Sequence, residues 1–127
     1  MTQSLWFSFQ RLTPVEANHV EEDHEITVKE LKRLLDSGAH VNLIDVREPH
    51  EYEFCHIPGC RLVPVGQVLN RVNEFDPAEQ YVFYCHVGER SGWAVHFLRQ
   101  RGFKKIKNVL GGIDAWAVEI DLSMPRY

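Results

Sequence analysis

The sequence predicts one α/β domain in which helices cover both faces of a central parallel sheet of about five strands. Short apolar segments alternate with amphipathic segments along most of the chain, an order that is typical of strand–helix–strand units. The chain has 127 residues, of which 44% are hydrophobic, so it can form one domain with a single core. Polar and acidic residues dominate residues 15–25, so residues 1–25 are predicted to form an exposed lead-in, and the domain is predicted to span residues 26–127.

The first helix and the first buried strand are predicted from local signals. Thr27 can cap a helix, and Gly38 can end it. The apolar residues of this helix recur at helical spacing; they are Val28, Leu31, Leu34 and Leu35. The apolar, β-branched composition of residues 41–46 predicts a short buried strand.

The middle of the chain is predicted to contain two helices and a short strand. Pro49 can begin a brief helix that runs to Cys55. A turn at residues 57–59 leads into a strand near residues 61–63. Apolar residues with a 3.6-residue period predict one helix over residues 65–75.

The last part of the chain repeats this alternation. Residues 81–84 are aromatic and β-branched and are predicted to form a central strand. A helix is predicted over residues 91–101, with Ser91 as its cap. Residues 106–110 are predicted to form the final strand, which Gly111-Gly112 and a further helical turn follow.

Composition and charge exclude several classes of protein. The 14 Lys and Arg residues are outnumbered by 18 Asp and Glu residues, for a net charge of -4, which argues against a protein that binds nucleic acid by neutralising phosphates. Charges or prolines interrupt every apolar run well before the roughly 20 residues that cross a bilayer. We therefore expect a cytoplasmic protein with no nucleic-acid or membrane partner, in which the three cysteines are thiols.

The loop after the predicted central strand contains the strongest candidate for chemistry. Ligands bind beyond the carboxyl ends of parallel strands, and Cys85 lies at such an end, just before a predicted helix. Backbone N–H groups and the helix dipole at this place favour an anion on the sulfur, and Arg90 adds a charge that Glu89 partly offsets. Gly88 allows the backbone to approach the sulfur closely. The sequence thus predicts Cys85 as a nucleophile within a binding loop of six further residues: His86, Val87, Gly88, Glu89, Arg90 and Ser91.

The pattern Cys85-x-x-Gly88-x-Arg90-Ser91 resembles the active-site loop of the rhodanese-family sulfurtransferases. Further motifs of that family occur in the same order: Asp45-Val46-Arg47-Glu48, His56-Ile57-Pro58-Gly59, Gly102-Phe103 and Gly111-Gly112-Ile113-x-Ala115-Trp116. The resemblance covers residues 26–127, and the last twelve residues are similar to the C-terminal rhodanese domain of the molybdopterin-synthase sulfurylases. It implies the rhodanese-like three-layer fold.

The resemblance also implies a mechanism of the thiosulfate sulfurtransferase type. Cys85 would take the outer sulfur of thiosulfate, or of a cysteine-desulfurase persulfide, and hold it as a persulfide. Cyanide in an assay, or a thiol or a ubiquitin-like sulfur-carrier protein in a cell, would then receive that sulfur. No metal and no organic cofactor is implied.

Asp45 and Arg47 are implied by the resemblance to support the loop from the neighbouring strand end. A local ion pair of Arg47 with Glu48 or Glu51 is an alternative interpretation. His86 is a candidate for binding donor or acceptor, whereas His56 is expected to be structural.

Three other interpretations of the cysteines remain open at this point. A Cdc25-type phosphatase or arsenate reductase would need five residues between cysteine and arginine, and Cys85 and Arg90 are separated by four. A non-catalytic rhodanese-like binding module would have lost the cysteine. Either Cys55 or Cys60 could form a disulfide with Cys85, while the spacing of Cys55 and Cys60 around His56 matches no usual zinc pattern.

Overall fold

The computed structural model describes residues 24–127, so residues 1–23 of the predicted lead-in lie outside the described residues. Five parallel strands form one sheet in the order β1-β5-β4-β2-β3. The strands are β1 Glu25–Ile26, β2 Asn42–Asp45, β3 Arg61–Leu62, β4 Tyr81–Tyr84 and β5 Ile106–Val109. The helices are α1 Val28–Asp36, α2 Pro49–Phe54, α3 Val65–Val68, α4 Glu89–Arg99 and α5 Gly112–Glu119, with a 3-10 turn at Val72–Glu74.

The predicted parallel sheet with helices on both faces is confirmed. Strand β4 lies in the middle, paired with β2 on one side and β5 on the other, and all four of its residues are buried. Its side chains alternate between two cores, as in any strand. Tyr81 and Phe83 pack with α3 and α4 on one face, while Val82 and Tyr84 pack with α1 and α5 on the other.

Local signals correctly predict the first helix. The Thr27 hydroxyl accepts the Glu30 N–H at 3.1 Å, and the Glu30 carboxylate accepts the Thr27 N–H at 2.9 Å. This reciprocal capping satisfies two N–H groups that the helix itself leaves unpaired. Val28 and Leu31 then point into the core beneath β5 and β4.

The single helix predicted over residues 65–75 is wrong, because the segment divides into α3 and the 3-10 turn. Pro64 supplies no side-chain cap, and Arg71 leaves the helical region at φ -114°, ψ 16°. Gly66 and the valines of the segment are also weak helix formers. The 3.6-residue period therefore identifies residues that face the core, such as the fully buried Val68. It does not require that the whole segment form one continuous helix.

Strand β1 was not predicted, because two residues carry no recognisable pattern. It exists through its pairing with β5, in which Glu25 is opposite Asn108 and Ile26 is opposite Val109. This places Glu25, which the prediction assigned to the lead-in, in the sheet. None of the helices within residues 24–127 is long and apolar enough to span a membrane.

Candidate active site

Cys85 lies at the carboxyl end of the central strand and is only 1% exposed. Because Tyr84 faces the core beneath α1 and α5, the next residue faces the opposite core, where Cys85 packs near Ala94 of α4. The chain then crosses the end of the sheet at residues 86–88 and enters α4 at Glu89. The sulfur therefore lies beneath its own loop, beside the start of a helix.

Gly88 brings the loop backbone to the sulfur. Its φ of 108° is in a region that L-residues rarely adopt, and this conformation directs its N–H to the Cys85 Sγ at 3.1 Å. Gly88 is also the N-cap residue of α4. The sulfur thus faces the positive end of the helix dipole as well as a backbone donor.

Ser91 does not cap the helix, which is a correction to the sequence prediction. The helix begins two residues earlier, so Ser91 lies in its first turn and its side chain points inward. The Ser91 Oγ lies 3.2 Å from the Cys85 Sγ and 2.5 Å from the Asn108 Oδ1. The Asn108 Nδ2 in turn donates to the Gly88 carbonyl at 3.1 Å.

Asn108 is a residue of the site that the sequence analysis missed. It lies on β5, away from every motif singled out, and contacts the loop only through the fold. One signal in the sequence could have identified Asn108: it is an amide in a predicted strand whose other core positions are apolar. A buried polar group needs hydrogen-bond partners, so this amide was a candidate for a contact with the neighbouring loop.

The start of α5 holds the loop from the other side. The Ile113 N–H donates to the Cys85 carbonyl at 2.9 Å, and the Asp114 N–H donates to the His86 carbonyl at 3.0 Å. Gly112 has a φ of 60°, and a Cβ at this position would overlap both carbonyl oxygens. Gly112, the first residue of α5, therefore allows this helix to begin directly against the Cys85 loop.

Asp45 and Arg47 form a fully buried pair beside β4. The Arg47 Nη2 lies 2.7 Å from the Asp45 Oδ2, and the Nε lies 3.0 Å from the Oδ1. Tyr84 donates to the same carboxylate at 2.8 Å. Burial opposes the charge of Arg47, but its hydrogen bonds to Asp45 and Tyr127 outweigh burial and raise the guanidinium pKa.

The alternative pairing of Arg47 with Glu48 or Glu51 is wrong. Asp45 is the carboxylate that Arg47 contacts, and its Nη2 also donates to the Cys55 carbonyl at 2.6 Å. Glu51 pairs with a different arginine, Arg90. The buried pair thereby joins the end of β2 to the end of α2.

Arg90 lies at the rim of the loop, and its charge is paired. Its Nη1 and Nη2 lie 2.7 and 3.0 Å from the two carboxylate oxygens of Glu51. The hydrogen bond from Arg90 lowers the pKa of Glu51 from 4.5 to about 2, and the same contact raises the pKa of Arg90. The partner of Arg90 is therefore Glu51, and not the exposed Glu89 that the sequence analysis expected to offset it.

Tyr127 joins these two charged pairs, and it too was missed. Its hydroxyl accepts from the Arg47 Nη1 at 2.8 Å and donates to the Glu51 Oε2 at 2.8 Å. Its ring stacks on that of His86, with centroids 4.1 Å apart. His86 therefore joins the loop to Tyr127, while Val87 at the loop tip is 47% exposed.

The other two cysteines belong to the opposite core from Cys85. Cys55 and Cys60 pack at the edge of the cluster that contains Tyr84, whose hydroxyl lies 3.4 Å from the Cys60 Sγ. Burial raises the pKa of Cys60. All three thiols are free, and within residues 24–127 no three His, Cys, Asp or Glu side chains are grouped to hold a metal ion. His56 stacks on Tyr52.

Residues 27–119 match the rhodanese-like domain family. The chain belongs to this family. A rhodanese-like domain protein of Staphylococcus aureus has a solved structure that covers 82% of this chain and 98% of its own, with 31% identity and a TM-score of 0.68. Sequence motifs and geometry thus agree with the comparison.

Curated relatives of this rhodanese-like domain have names that refer to sulfur carriage and transfer. A putative sulfur carrier protein of Bacillus subtilis, YrkF, is 40% identical over 92 residues, or 72% of this chain and 50% of its own length. The probable adenylyltransferase/sulfurtransferase MoeZ of Mycobacterium tuberculosis is 37% identical over 107 residues, or 80% of this chain and 26% of its own. The chain therefore spans about half of one relative and a quarter of the other.

Proposed function

We propose that this rhodanese-like domain is a sulfurtransferase of the thiosulfate sulfurtransferase type, which carries sulfane sulfur as a persulfide on Cys85. The observation that carries the proposal is the position of the Cys85 sulfur, 3.1 Å from the Gly88 N–H at the start of α4. A backbone donor and a helix N-terminus favour a negatively charged sulfur. The same surroundings suit the terminal sulfur of a persulfide anion.

The first half of the reaction forms one S–S bond and breaks another. The Cys85 thiolate attacks the outer sulfur of thiosulfate, the bond between the two sulfur atoms of thiosulfate breaks, and sulfite leaves with the electron pair. A persulfide on a donor protein such as a cysteine desulfurase would react in the same way, with a thiolate as the leaving group. The loop residues His86 to Ser91 would surround the added sulfur.

The second half returns the cysteine to its thiolate. A nucleophile attacks the terminal sulfur, and the Cys85 sulfur leaves with the electron pair. Cyanide would give thiocyanate in an assay, and a thiol or a ubiquitin-like sulfur-carrier protein would accept the sulfur in the cell. Asp45 and Arg47 would support the reaction by holding the loop in place, without contacting the donor.

The size of the loop supports the binding of one sulfur atom rather than a phosphoryl group. Four residues separate Cys85 from Arg90, and the Gly88 N–H and the Ser91 hydroxyl already lie 3.1 and 3.2 Å from the sulfur. A tetrahedral phosphate needs several further donors around it. Arg90, the side chain that could supply them, is occupied by Glu51.

Intact mass spectrometry tests the nucleophile and the intermediate together. After treatment with thiosulfate, we expect the wild-type mass to rise by one sulfur atom and dithiothreitol to reverse the gain. Cys85→Ser should abolish both the gain and thiocyanate formation, whereas the matched variants Cys55→Ser and Cys60→Ser should keep them. Full activity in Cys85→Ser, or efficient hydrolysis of aryl phosphates by the wild type, would contradict the proposal.

A further inference from the structure

Arg90 is the charged side chain best placed to meet a donor at the loop. It is 36% exposed, and its pKa is raised chiefly by the hydrogen bond to Glu51 and to a smaller degree by the neighbouring Cys85. A guanidinium can hold an oxyanion with two parallel hydrogen bonds. In this protein Glu51 already occupies that position, at 2.7 and 3.0 Å.

The Glu51 carboxylate is itself held in place from several directions. Its Oε1 accepts the Glu48 N–H at 3.0 Å in the capping box of α2, in addition to the bond from Arg90. Its Oε2 accepts the Tyr127 hydroxyl at 2.8 Å. Its side chain is only 11% exposed, so the carboxylate is oriented by the fold and does not turn freely in solvent.

The other two arginines beside the loop are paired in the same manner. Arg47 is buried against Asp45. Arg126 lies 2.9 and 3.1 Å from the two oxygens of Asp114, at the start of α5. We call the surface around the Cys85 loop the entrance. Each arginine that the structure describes there is therefore paired with one carboxylate.

We infer that Glu51 is a specificity-determining residue that selects against small dianionic sulfur donors by holding the Arg90 guanidinium in a bidentate pair. The inference rests on the proposed function, since it concerns which donors reach Cys85. A dianion such as thiosulfate gains little binding free energy at an entrance where Glu51 already neutralises the Arg90 guanidinium. A neutral donor, or a persulfide presented by a protein, loses nothing there.

The charge preference of the entrance can be measured without any sulfur transfer. Iodoacetate and iodoacetamide alkylate the same sulfur but differ by one negative charge. The ratio of their initial rates at Cys85, followed by peptide mass spectrometry, reports how the entrance treats an anion. In Glu51→Gln we expect this ratio to rise about three- to fivefold at low salt, the effect of one freed, partly exposed charge, and to fall toward the wild-type value as salt is added.

The variant and its control are matched on the same helix. Glutamine can also serve at this position of a capping box, so Glu51→Gln should keep α2 intact. Glu53→Gln removes an equal charge from an exposed position two residues away. An unchanged ratio in Glu51→Gln, or an equal rise in Glu53→Gln, would overturn the inference.

A double-mutant cycle separates the freed guanidinium from the mere loss of a carboxylate. If Glu51 acts by holding Arg90, its replacement should raise the ratio at least about twofold more with Arg90 present than in an Arg90→Gln background. Equal effects in both backgrounds would mean that Glu51 acts only as a distant charge, and the inference would be wrong.

Kinetics with two donors extend the test to transfer itself. In Glu51→Gln the KM for thiosulfate should fall about five- to tenfold with little change in kcat, because the donor carries two charges. The KM for the uncharged donor diallyl trisulfide should stay the same. An equal change in KM for both donors would overturn the inference. If the wild type transferred no sulfur from either donor, the proposed function would be wrong, and the alkylation ratio would then be the test of whether Glu51 controls the charge preference of the entrance.

Discussion

The Ser91 hydroxyl lies 2.5 Å from the amide oxygen of Asn108 and 3.2 Å from the Cys85 sulfur. A serine hydroxyl has one proton to donate, so these two acceptors compete for it. When the sulfur is protonated, it can donate to Ser91 while Ser91 donates to Asn108. When the sulfur is an anion, Ser91 can turn its proton toward it, and Asn108 then loses a donor.

The same Asn108 amide holds the Gly88 carbonyl, so Asn108→Leu should destabilise the protein. We expect the free energy of unfolding to fall by about 1–3 kcal/mol, because Ser91 and the Gly88 carbonyl lose buried partners. Urea denaturation measures the loss. Asn70→Leu, at an exposed position, is the control and should change stability by less than about 0.5 kcal/mol; similar losses in both variants would contradict the assigned contacts.

Gly112→Ala should displace the Cys85 loop. The added methyl group would overlap the carbonyl oxygens of Cys85 and His86, and alanine would be strained at a φ of 60°. We expect a loss of more than about 1 kcal/mol in unfolding free energy, together with slower alkylation or sulfur loading of Cys85. In Gly66→Ala the added methyl group meets no atom within 4 Å, so both measurements should stay near the wild-type values. If Gly112→Ala had the stability and the Cys85 reactivity of the wild type, the loop would not depend on this contact.

Arg47→Met should lower the free energy of unfolding by more than the loss of one buried side chain would. It would leave the Asp45 carboxylate buried without its charged partner, and breaking such a pair costs about 3–5 kcal/mol. Thermal and urea unfolding measure the effect. Arg61→Met breaks an exposed pair with Glu74 and should cost less than about 1 kcal/mol, so equal losses would refute the structural role of the buried pair.

The pairing of Glu51 with Arg90 should stabilise the protein in a pH-dependent way. The pKa of Glu51 is about 2 in the folded protein, against an ordinary value of 4.5. The lowered pKa means that the stabilisation is complete above about pH 4.5 and is lost as the pH falls toward about 2. The gap in Tm between the wild type and Glu51→Gln should therefore narrow across that interval, and a gap that is constant or widens toward acid would contradict it.

Local signals predict most of the secondary structure, because their causes lie within a few residues. The Thr27–Glu30 capping box, Pro49 at the start of α2 and the apolar strand at Tyr81–Tyr84 are of this kind. The failures have the opposite cause. Strand β1 depends on pairing with β5, and the start of α4 depends on the positive φ of Gly88 rather than on a capping serine.

The sequence by itself determined the fold class, the order of most of the elements and the cysteine at the end of the central strand, since hydrophobic period and turn chemistry are properties of neighbouring residues. Only the tertiary structure decided the partners of that cysteine and of the arginines. Asn108 reaches Ser91 across 17 positions, and Glu51 reaches Arg90 across 39. Such pairs depend on how parallel strands bring distant segments to one edge of the sheet, and no local pattern records which carboxylate or amide will lie within hydrogen-bond distance.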